Sequence, residues 1–363
     1  MKLDPKELLS SFQIVDRVAA QPGLPSSQFV AVTTSGAKLR LALTGVCTAE
    51  AFTAIPAGEA AWKFYLDRRV LGAFLSATRA KTVDVLVQGD ALILRAGRQK
   101  ITATAMTPIT GYGSWAAKTP SPLKLAPSLR SRLGLLAIYA PVVAAADHLS
   151  AVYLIRGYGV VATDSFVIAA CLDRSAAQTF PLPVTVSQLV STTDVAALYL
   201  DERGAGIRFP NGYVYQPLSQ RCLKHYPLKK VQEAIAKGMK SSVAGVLLPA
   251  QAFLDALKQL KGFVFGSDTD IQVTCRPAKA ANHLCLKMTT VQGDAEVVTS
   301  GDAEPGADTE KLKWPLAKVY PWLEHIAAED KEAVVTCSFT GDSYLLHATV
   351  GKVQHLLILA ERV

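Results

Sequence analysis

One alternating pattern occurs three times along this 363-residue chain, and it restricts the available folds more than any other feature. Residues 83–103 read VDVLVQGDALILRAGRQKITA: an alternating run, a Gly-Asp turn, a second alternating run and a basic turn. Similar stretches lie near residues 195–216 and 333–359. Alternation with a period of two, interrupted by Gly, Asp or Asn, predicts strands joined by tight turns. We therefore expect one antiparallel meander in each third of the chain.

Segments with apolar residues at helical spacing occur in pairs along the chain. First members begin about 120 residues apart and second members follow about 60 residues later, with boundaries good to about 2–4 residues. The predicted helices are KELLSSFQIVDRVAA (6–20), RVLGAFLSATRA (69–80), LRSRLGLLAIYAPVVAAADHL (129–149), VSQLVSTT (186–193), LPAQAFLDALKQL (248–260) and PLAKVYPWLEHIA (315–327). Pro141 predicts a kink inside the third helix, whereas Pro249 and Pro315 suit a first helical turn.

Strand-forming runs fill the gap between the two helices of each pair. Self-similarity at a fixed period indicates a repeat architecture, here with a period the size of a domain. We predict an α+β fold in which each unit carries two helices on one face of antiparallel sheets. Pro, Ser and Lys cluster near 117–124 and 237–243, where we place the boundaries, and the acidic segment 301–310 is expected to be an exposed loop. The predicted domains are 1–120, 121–240 and 241–363.

Composition restricts the class of protein. Half of the residues are apolar and 19% are charged, which is typical of a soluble globular protein. No apolar run reaches the roughly 18–20 residues of a membrane span, and MKLDPKELLSSF lacks the features of a signal peptide, so we expect a cytoplasmic location and no membrane partner. The six cysteines have no C-x-x-C spacing, so no metal or cofactor is expected. A net charge of +8 favours a polyanionic partner.

The sequence lacks the motifs of the common enzyme classes. GYGSW (111–115) does not have the G-x-S-x-G spacing of a nucleophile elbow, and there is no phosphate-binding loop. The histidines are scattered, and adjacency of Asp147 and His148 in sequence gives no catalytic geometry. We therefore expect a protein that is not an enzyme.

Four segments, taken in order, resemble parts of the bacterial DNA polymerase III beta subunit, the sliding clamp family. They are LILRAGRQKITATAMTP (92–108), VVATDSFVIA (160–169), HYPLKKV (225–231) and LLILAERV (356–363). The resemblance covers the whole chain and is that of a distant or phage-like member. It implies three repeated clamp domains, each with antiparallel sheets outside and two helices inside. It further implies a closed homodimeric ring around duplex DNA that keeps a tethered polymerase on its template.

The resemblance implies that basic residues associated with the helices contact DNA. Phosphate contacts are independent of base sequence and permit sliding, and the sequence has neither a recognition-helix motif nor a zinc finger. The implied DNA-binding residues are Arg79, Lys81, Arg130, Arg132, His148, Tyr153, Lys258, Lys261 and Lys318. For each residue taken singly, an ordinary solvated side chain is the alternative.

The resemblance also implies a pocket between domains 2 and 3 for short linear peptides of the polymerase and the clamp loader. An apolar pocket with a polar rim suits peptides with apolar anchors. The implied lining residues are Leu154, Thr163, Ser165, Phe166, Val167, Ile168, Pro227, Lys230, Val231, Leu357 and Leu359. Because Phe166 and Val167 stand where the family has His and Arg, we expect a less polar pocket and a more apolar peptide. Plain positions in strand cores are the alternative.

The implied ring closes where an edge strand of domain 1 pairs with an edge strand of domain 3 in a second protomer. Ile101 and Ala103 fall at positions that resemble apolar interface residues. Two other classes of protein stay open: a monomeric clamp-like scaffold that binds peptides, and an enzyme of unrecognised class. Light scattering separates the ring from the scaffold, because a ring has about twice the mass of the chain.

Overall fold

The structure is a computed structural model, and its elements recur in one order three times. It describes residues 1–17, 28–44, 48–57, 61–104, 123, 125–141, 148–174, 179–192, 197–240, 245–264, 271–290 and 293–361. The first third of the chain contains β1 (Lys2–Leu3), α1 (Pro5–Asp16), β2 (Phe29–Ser35), β3 (Lys38–Thr44), β4 (Thr48–Ala54), β5 (Lys63–Asp67), α2 (Arg68–Ala77), β6 (Val83–Gln88), β7 (Ala91–Ala96) and β8 (Gln99–Thr104).

The middle third repeats the order of helix, four strands, helix and three strands, and then adds two helices. Its elements are α3 (Pro127–Ala137), β9 (Ala151–Ile155), β10 (Gly159–Thr163), β11 (Val167–Leu172), β12 (Phe180–Pro183), α4 (Val184–Thr192), β13 (Ala197–Asp201), β14 (Gly204–Phe209), β15 (Gly212–Pro217), α5 (Gln220–His225) and α6 (Leu228–Lys240).

The final third follows the same plan with a short additional strand and a 3-10 helix (Thr309–Lys311). Its other elements are β16 (Val246–Pro249), α7 (Ala250–Lys261), β17 (Gln272–Pro277), β18 (His283–Thr290), β19 (Gly293–Ser300), β20 (Asp302–Ala303), β21 (Lys313–Pro315), α8 (Leu316–Glu329), β22 (Val334–Phe339), β23 (Ser343–Val350) and β24 (Val353–Ala360). The three predicted meanders are β6–β8, β13–β15 and β22–β24.

The chain divides into two compact units. The first unit contains Met1–Pro127 and Thr185–Leu218. One of its sheets has the order β1-β6-β7-β8 and the other the order β13-β14-β15-β4-β3-β2-β5. The larger sheet is continuous because β15 pairs antiparallel with β4, from Gly212 opposite Ala51 to Tyr215 opposite Thr48. Backbone pairing therefore joins strands of the first third to strands of the middle third.

The second unit contains Ser128–Val184 and Ser219–Val363. Its larger sheet has the order β12-β9-β10-β11-β24-β23-β22-β16-β20, and its smaller sheet the order β19-β18-β17-β21. Here β11 pairs with β24 from Val167 opposite Leu359 to Leu172 opposite Gln354. The two units cut across the domains expected from the sequence, whose boundaries at 120 and 240 stay a prediction.

Helices α1 and α2 pack together in the first unit. Asp4 caps α1, since its carboxylate accepts a hydrogen bond from the Lys6 N–H at 2.7 Å. The buried side of α1 includes Leu8 and Phe12. A Cβ atom at Gly72 of α2 would lie 3.1 Å from the Phe12 ring. The two helices approach closely at this point because Gly72 has no side chain.

Helices α7 and α8 form the corresponding pair in the second unit. Phe253, Trp314 and Trp322 are fully buried around them. The rings of Phe253 and Trp314 meet edge to face with 5.9 Å between their centroids. Both helices begin directly after a proline, so Pro249 and Pro315 take the N-cap position instead of the first turn.

The structure differs from the expected segments in three places. Helix α3 ends at Ala137, so Pro141 follows the helix and does not kink it. The stretch 228–240 forms α6, whose buried residues Val231, Ile235 and Gly238 lie on one face; the boundary at 237–243 thus begins inside a helix. Segment 301–310 is not a plain loop, because β20 pairs with β16.

The described residues contain neither a disulfide bond nor a helix suited to a membrane. The five cysteines that the structure describes form no disulfide bond and are buried, in keeping with a role as small apolar residues. Cys47 lies outside the described residues. No helix in the described ranges has both the length and the apolar character needed to cross a lipid bilayer.

We predict that the Asp67 cap stabilises α2. Its Oδ1 accepts hydrogen bonds from the N–H groups of Arg69 at 2.8 Å and Val70 at 3.0 Å. Asp67→Ala should lower the free energy of unfolding by about 0.5–2 kcal/mol, because two N–H groups lose their acceptor. Asp67→Asn keeps an acceptor oxygen and should lose much less. Urea denaturation measures both, and equal losses would contradict the cap.

Candidate functional site

A cavity of about 290 Å³ lies in the second unit beside the turn between β10 and β11. Its walls come from that turn, from the starts of β17, β23 and α8, from the strand β21, and from the end of β24. The lining residues are Asp164, Phe166, Val167, Gln272, Lys313, Pro315, Lys318, Tyr344, Leu359, Ala360 and Glu361.

The turn at one side of the cavity is shaped by Asp164. Its Oδ1 accepts hydrogen bonds from the N–H groups of Phe166 at 3.0 Å and Val167 at 2.8 Å. Ser165, which lies between Asp164 and Phe166, has a φ of +80°, which a non-glycine residue adopts only where local bonds hold it. The turn leaves the Phe166 side chain 57% exposed at the mouth of the cavity.

An ion pair ties this turn to α8. The ammonium group of Lys318 lies 3.0 Å from Oδ2 of Asp164, and both side chains are half-buried. The backbone carbonyl of Lys318 accepts a hydrogen bond from the Tyr139 hydroxyl at 2.6 Å. Burial raises the pKa of Tyr139, so its hydroxyl stays protonated and remains a donor. Lys318, expected to contact DNA, is therefore already engaged at the cavity.

The floor of the cavity is formed where β11 meets β24. Val167 lies opposite Leu359, and both side chains are buried. Tyr344 lies opposite Leu359 on the other side, and its hydroxyl is 3.2 Å from Oε1 of Glu361. Burial and the Glu361 charge raise the pKa of Tyr344 to about 12, so the hydroxyl is a neutral donor at physiological pH.

The charges at the rim are partly compensated. Asp164 pairs with Lys318, and Glu361 accepts the Tyr344 hydrogen bond. Lys313 is exposed and forms no ion pair with any residue that the structure describes. The lining combines apolar residues such as Val167 and Leu359 with an equal share of polar surface, an arrangement that can hold a ligand with both an apolar anchor and polar groups.

The cavity contains three of the eleven residues expected in a peptide pocket, Phe166, Val167 and Leu359. The other eight lie elsewhere: Leu154, Thr163, Val231 and Leu357 are buried, Ile168 and Pro227 are half-buried, and Ser165 and Lys230 are exposed. For the buried four, the interpretation as core residues fits their burial. Phe166 and Val167, which stand where the resemblance implies His and Arg, both line the cavity.

Sequence reasoning missed most of the rim. Gln272, Lys313, Pro315 and Tyr344 come from strands of the final third, and nothing in their local sequence distinguishes them. Their place in the site follows from tertiary packing. As a result, the lining is more polar than the substitutions at 165–167 suggested.

The residues expected to bind DNA have different environments. Arg132 is buried, 2.7 Å from Asp173 and 3.7 Å from Glu329, so its guanidinium is not available to a phosphate. Tyr153 is also buried, and its ring centroid is 4.0 Å from that of Tyr226.

The remaining members of this set are accessible to solvent. Arg79, Lys81, Lys258 and Lys261 are exposed, while Arg130 and His148 are half-buried. Lys258 lies 3.8 Å from Asp255, and the ammonium of Lys261 lies 4.2 Å from the centre of the Tyr320 ring. These contacts are weak at exposed positions, so both cations remain able to meet a polyanion.

Each unit also has an edge strand in its smaller sheet. In the first unit this strand is β8, on which Ile101 is half-buried and Ala103 is 8% exposed. In the second unit it is β19, which carries Val298 with 59% exposure. An edge strand offers backbone N–H and C=O groups for pairing with another chain.

The order and pairing of these elements define the class: the chain has the fold of the DNA sliding clamps. Solved structures match it from end to end. The sliding clamp of Bartonella birtlesii bound to griselimycin superposes with a TM-score of 0.75 and 14% identity, covering 100% of this chain and 99% of that one. The DNA polymerase III beta subunit of Thermotoga maritima superposes with a TM-score of 0.73 and 14% identity, covering 100% of this chain and 99% of that one. The beta subunit of Pseudomonas aeruginosa superposes with a TM-score of 0.72 and 14% identity, and the match covers 100% of both chains.

No protein-family model and no curated protein matches this sequence. The likeness therefore rests on structure, and it confirms the predicted α+β fold of repeated clamp domains. Periodicity predicted repeated α+β units, and the resemblance of four short segments implied the clamp fold, although the identity to these structures is 14%.

We predict that Asp164 organises the turn mainly through its backbone hydrogen bonds. Asp164→Ala removes the acceptor of two N–H groups and should lower the free energy of unfolding by about 1–3 kcal/mol. Asp164→Asn keeps an acceptor oxygen and loses the half-exposed ion pair with Lys318, which should lower it by about 0–1 kcal/mol. Denaturation in urea compares the two variants; a larger loss for Asn would contradict this ranking.

Proposed function

We propose that this chain is a DNA sliding clamp, a processivity factor that encircles duplex DNA as a closed homodimeric ring. The end-to-end match to clamp structures carries the proposal, since it covers 100% of the chain with TM-scores of 0.72 to 0.75. Those structures are of DNA sliding clamps or beta subunits of DNA polymerase III. The role is topological and needs no catalysis, because a closed ring cannot leave a circular template.

The proposed contact with DNA is electrostatic and independent of base sequence. The net charge of +8 supports it, as do the accessible cations. The proposed contacts are Arg79, Lys81, Arg130, His148, Lys258 and Lys261. Contacts of this kind bind phosphates, weaken with salt and allow the ring to slide. Arg132, Tyr153 and Lys318 are left out because they are buried or already engaged.

The proposed site for partners is the cavity beside the turn 164–167. Its apolar floor would receive an apolar anchor of a short linear peptide from a polymerase or a clamp loader. The clamp of Bartonella birtlesii was solved with griselimycin bound, which supports ligand binding by proteins of this fold. Phe166 at the mouth is placed to cover such an anchor.

The proposed ring joins β8 of one protomer to β19 of the other, with domains at 1–120, 121–240 and 241–363. Both strands lie at the edges of their sheets. The turn between β7 and β8 is closed by the pair Ala96 and Gln99. Counting the alternation of an antiparallel ladder from that pair, the N–H of Thr102 points away from β7 and toward the proposed partner.

The function is tested by following the protein on DNA that changes topology. Linear duplex is mixed with the protein, ligated into circles and washed at high salt, which removes electrostatic binding. A ring should stay on the circles and be released when a restriction enzyme linearises them. Equal retention on circular and linear DNA would overturn the proposal.

Ring closure is tested at Thr102, where a proline and an alanine variant form a matched pair. Thr102→Pro removes an N–H that the second protomer needs, and edge strands tolerate proline at such positions. This variant should scatter light as a 38.7 kDa monomer and leave the circles, whereas Thr102→Ala should behave as the wild type at about twice that mass. A monomeric wild type would favour the alternative of a peptide-binding scaffold.

Phe166 provides the test of the peptide site. Peptides selected from a randomised display library on the wild-type chain are measured by fluorescence anisotropy. Phe166→Ala should weaken their binding about tenfold, which corresponds to the loss of part of a buried aromatic contact. Phe263→Ala is the control, because Phe263 is 55% exposed, close to the 57% of Phe166, and does not line the cavity. Equal effects, or selection of acidic peptides without an apolar anchor, would contradict this site.

A further inference from the structure

Two histidines and a glutamate converge in the second unit, away from the cavity. His325 and Glu329 lie one turn apart on α8, and His355 lies on β24. One ligand atom from each of the three residues lies within 4.8 Å of the others. The sequence does not reveal this cluster, because His355 is distant from the other two along the chain.

The spacing of these atoms fits a small cation. Nε2 of His325 is 3.3 Å from Oε1 of Glu329, and Nε2 of His355 is 3.3 Å from Oε2 of the same carboxylate. Both Nε2 atoms are buried and form no well-directed hydrogen bond with any described residue. Ligands about 2.0–2.1 Å from a tetrahedral zinc ion are about 3.3–3.4 Å apart. The two observed distances equal this spacing but involve different oxygens of Glu329, so the side chains would close slightly around an ion from their separation of up to 4.8 Å.

His355 is held in the orientation that a ligand needs. Its side chain is fully buried, and its Nδ1 lies 3.4 Å from Sγ of Cys171, the residue opposite it in the β11–β24 pairing. Contacts to the second ring nitrogen are what orient histidine ligands at metal sites.

The charged groups around the cluster are compatible with a bound cation. Arg132 lies 3.7 Å from Glu329, but it also pairs with Asp173 at 2.7 Å. Two carboxylates, those of Glu329 and Asp173, therefore face this one guanidinium. The side chains of His325 and Glu329 are 12% and 20% exposed, which gives solvent access to the cluster.

We propose that His325, Glu329 and His355 form a binding site for one divalent transition-metal ion, with zinc the best match. Two imidazoles and a carboxylate are a donor set that zinc accepts, and a solvent molecule can take the fourth position. Hard cations such as Mg²⁺ prefer oxygen ligands and should bind poorly. The metal would link α8 to β24 and keep one coordination position open to solvent. The site does not depend on the proposed clamp function.

The test uses the full chain with its affinity tag removed and metals stripped by a chelator. Titration with Co²⁺ should give the visible absorption of a tetrahedral complex, saturating at one ion per chain, and Zn²⁺ should displace it. Zn²⁺ should also raise the melting temperature, because it binds the folded state. Mg²⁺ should produce neither effect. Failure to saturate, or the same response to Mg²⁺, would overturn the proposal.

Substitutions at the three positions locate the site. His325→Asn, Glu329→Gln and His355→Asn should each weaken Zn²⁺ binding by at least about 100-fold, since even outer partners of ligands are worth about 10–100-fold. His283→Asn is the control, because His283 is exposed on β18 and lies outside the cluster. Since His355 is fully buried, His325→Asn decides the question if His355→Asn does not fold. Unchanged affinity in His325→Asn and Glu329→Gln would overturn the site, whatever the outcome on circular DNA.

Discussion

Backbone pairing between strands that are far apart in sequence is the interaction on which the other features depend. In the first unit β15 pairs with β4, and in the second unit β11 pairs with β24. These ladders turn separate strand groups into sheets of seven and nine strands. Because each ladder satisfies backbone groups that would otherwise form open edges, it joins one repeat of the chain to another. The compact units therefore differ from the repeats that the sequence displays.

The β11–β24 ladder also creates both candidate sites of the second unit. At one end of the ladder, Val167 lies opposite Leu359, beside the turn that carries Phe166 at the mouth of the cavity. Further along, Cys171 lies opposite His355, which meets Glu329 of α8. One register thus fixes a solvent-exposed cavity and a partly buried polar cluster. A shift by one residue would send these side chains to the opposite faces of the sheet.

The fold could be predicted further than the site could. Alternation of apolar residues is a local property, so it gave the three meanders and the α+β class before any coordinates. Helix α6 was not predicted, because its apolar face is narrow: its buried residues are Val231, Ile235 and Gly238. Arg132 was misjudged because no sequence pattern shows that Asp173 and Glu329 will neutralise it.

The sequence by itself determined the repeated order of helices and strands and the basic charge, because periodicity and composition are local. The tertiary structure decided which strands pair across the chain, which residues of the final third form the rim of the cavity, and which histidines meet a carboxylate. Those contacts join residues as far apart as Asp164 and Lys318. Local chemistry fixes no such partner, since many pairings would bury the same apolar surface and the packing of the whole unit selects among them.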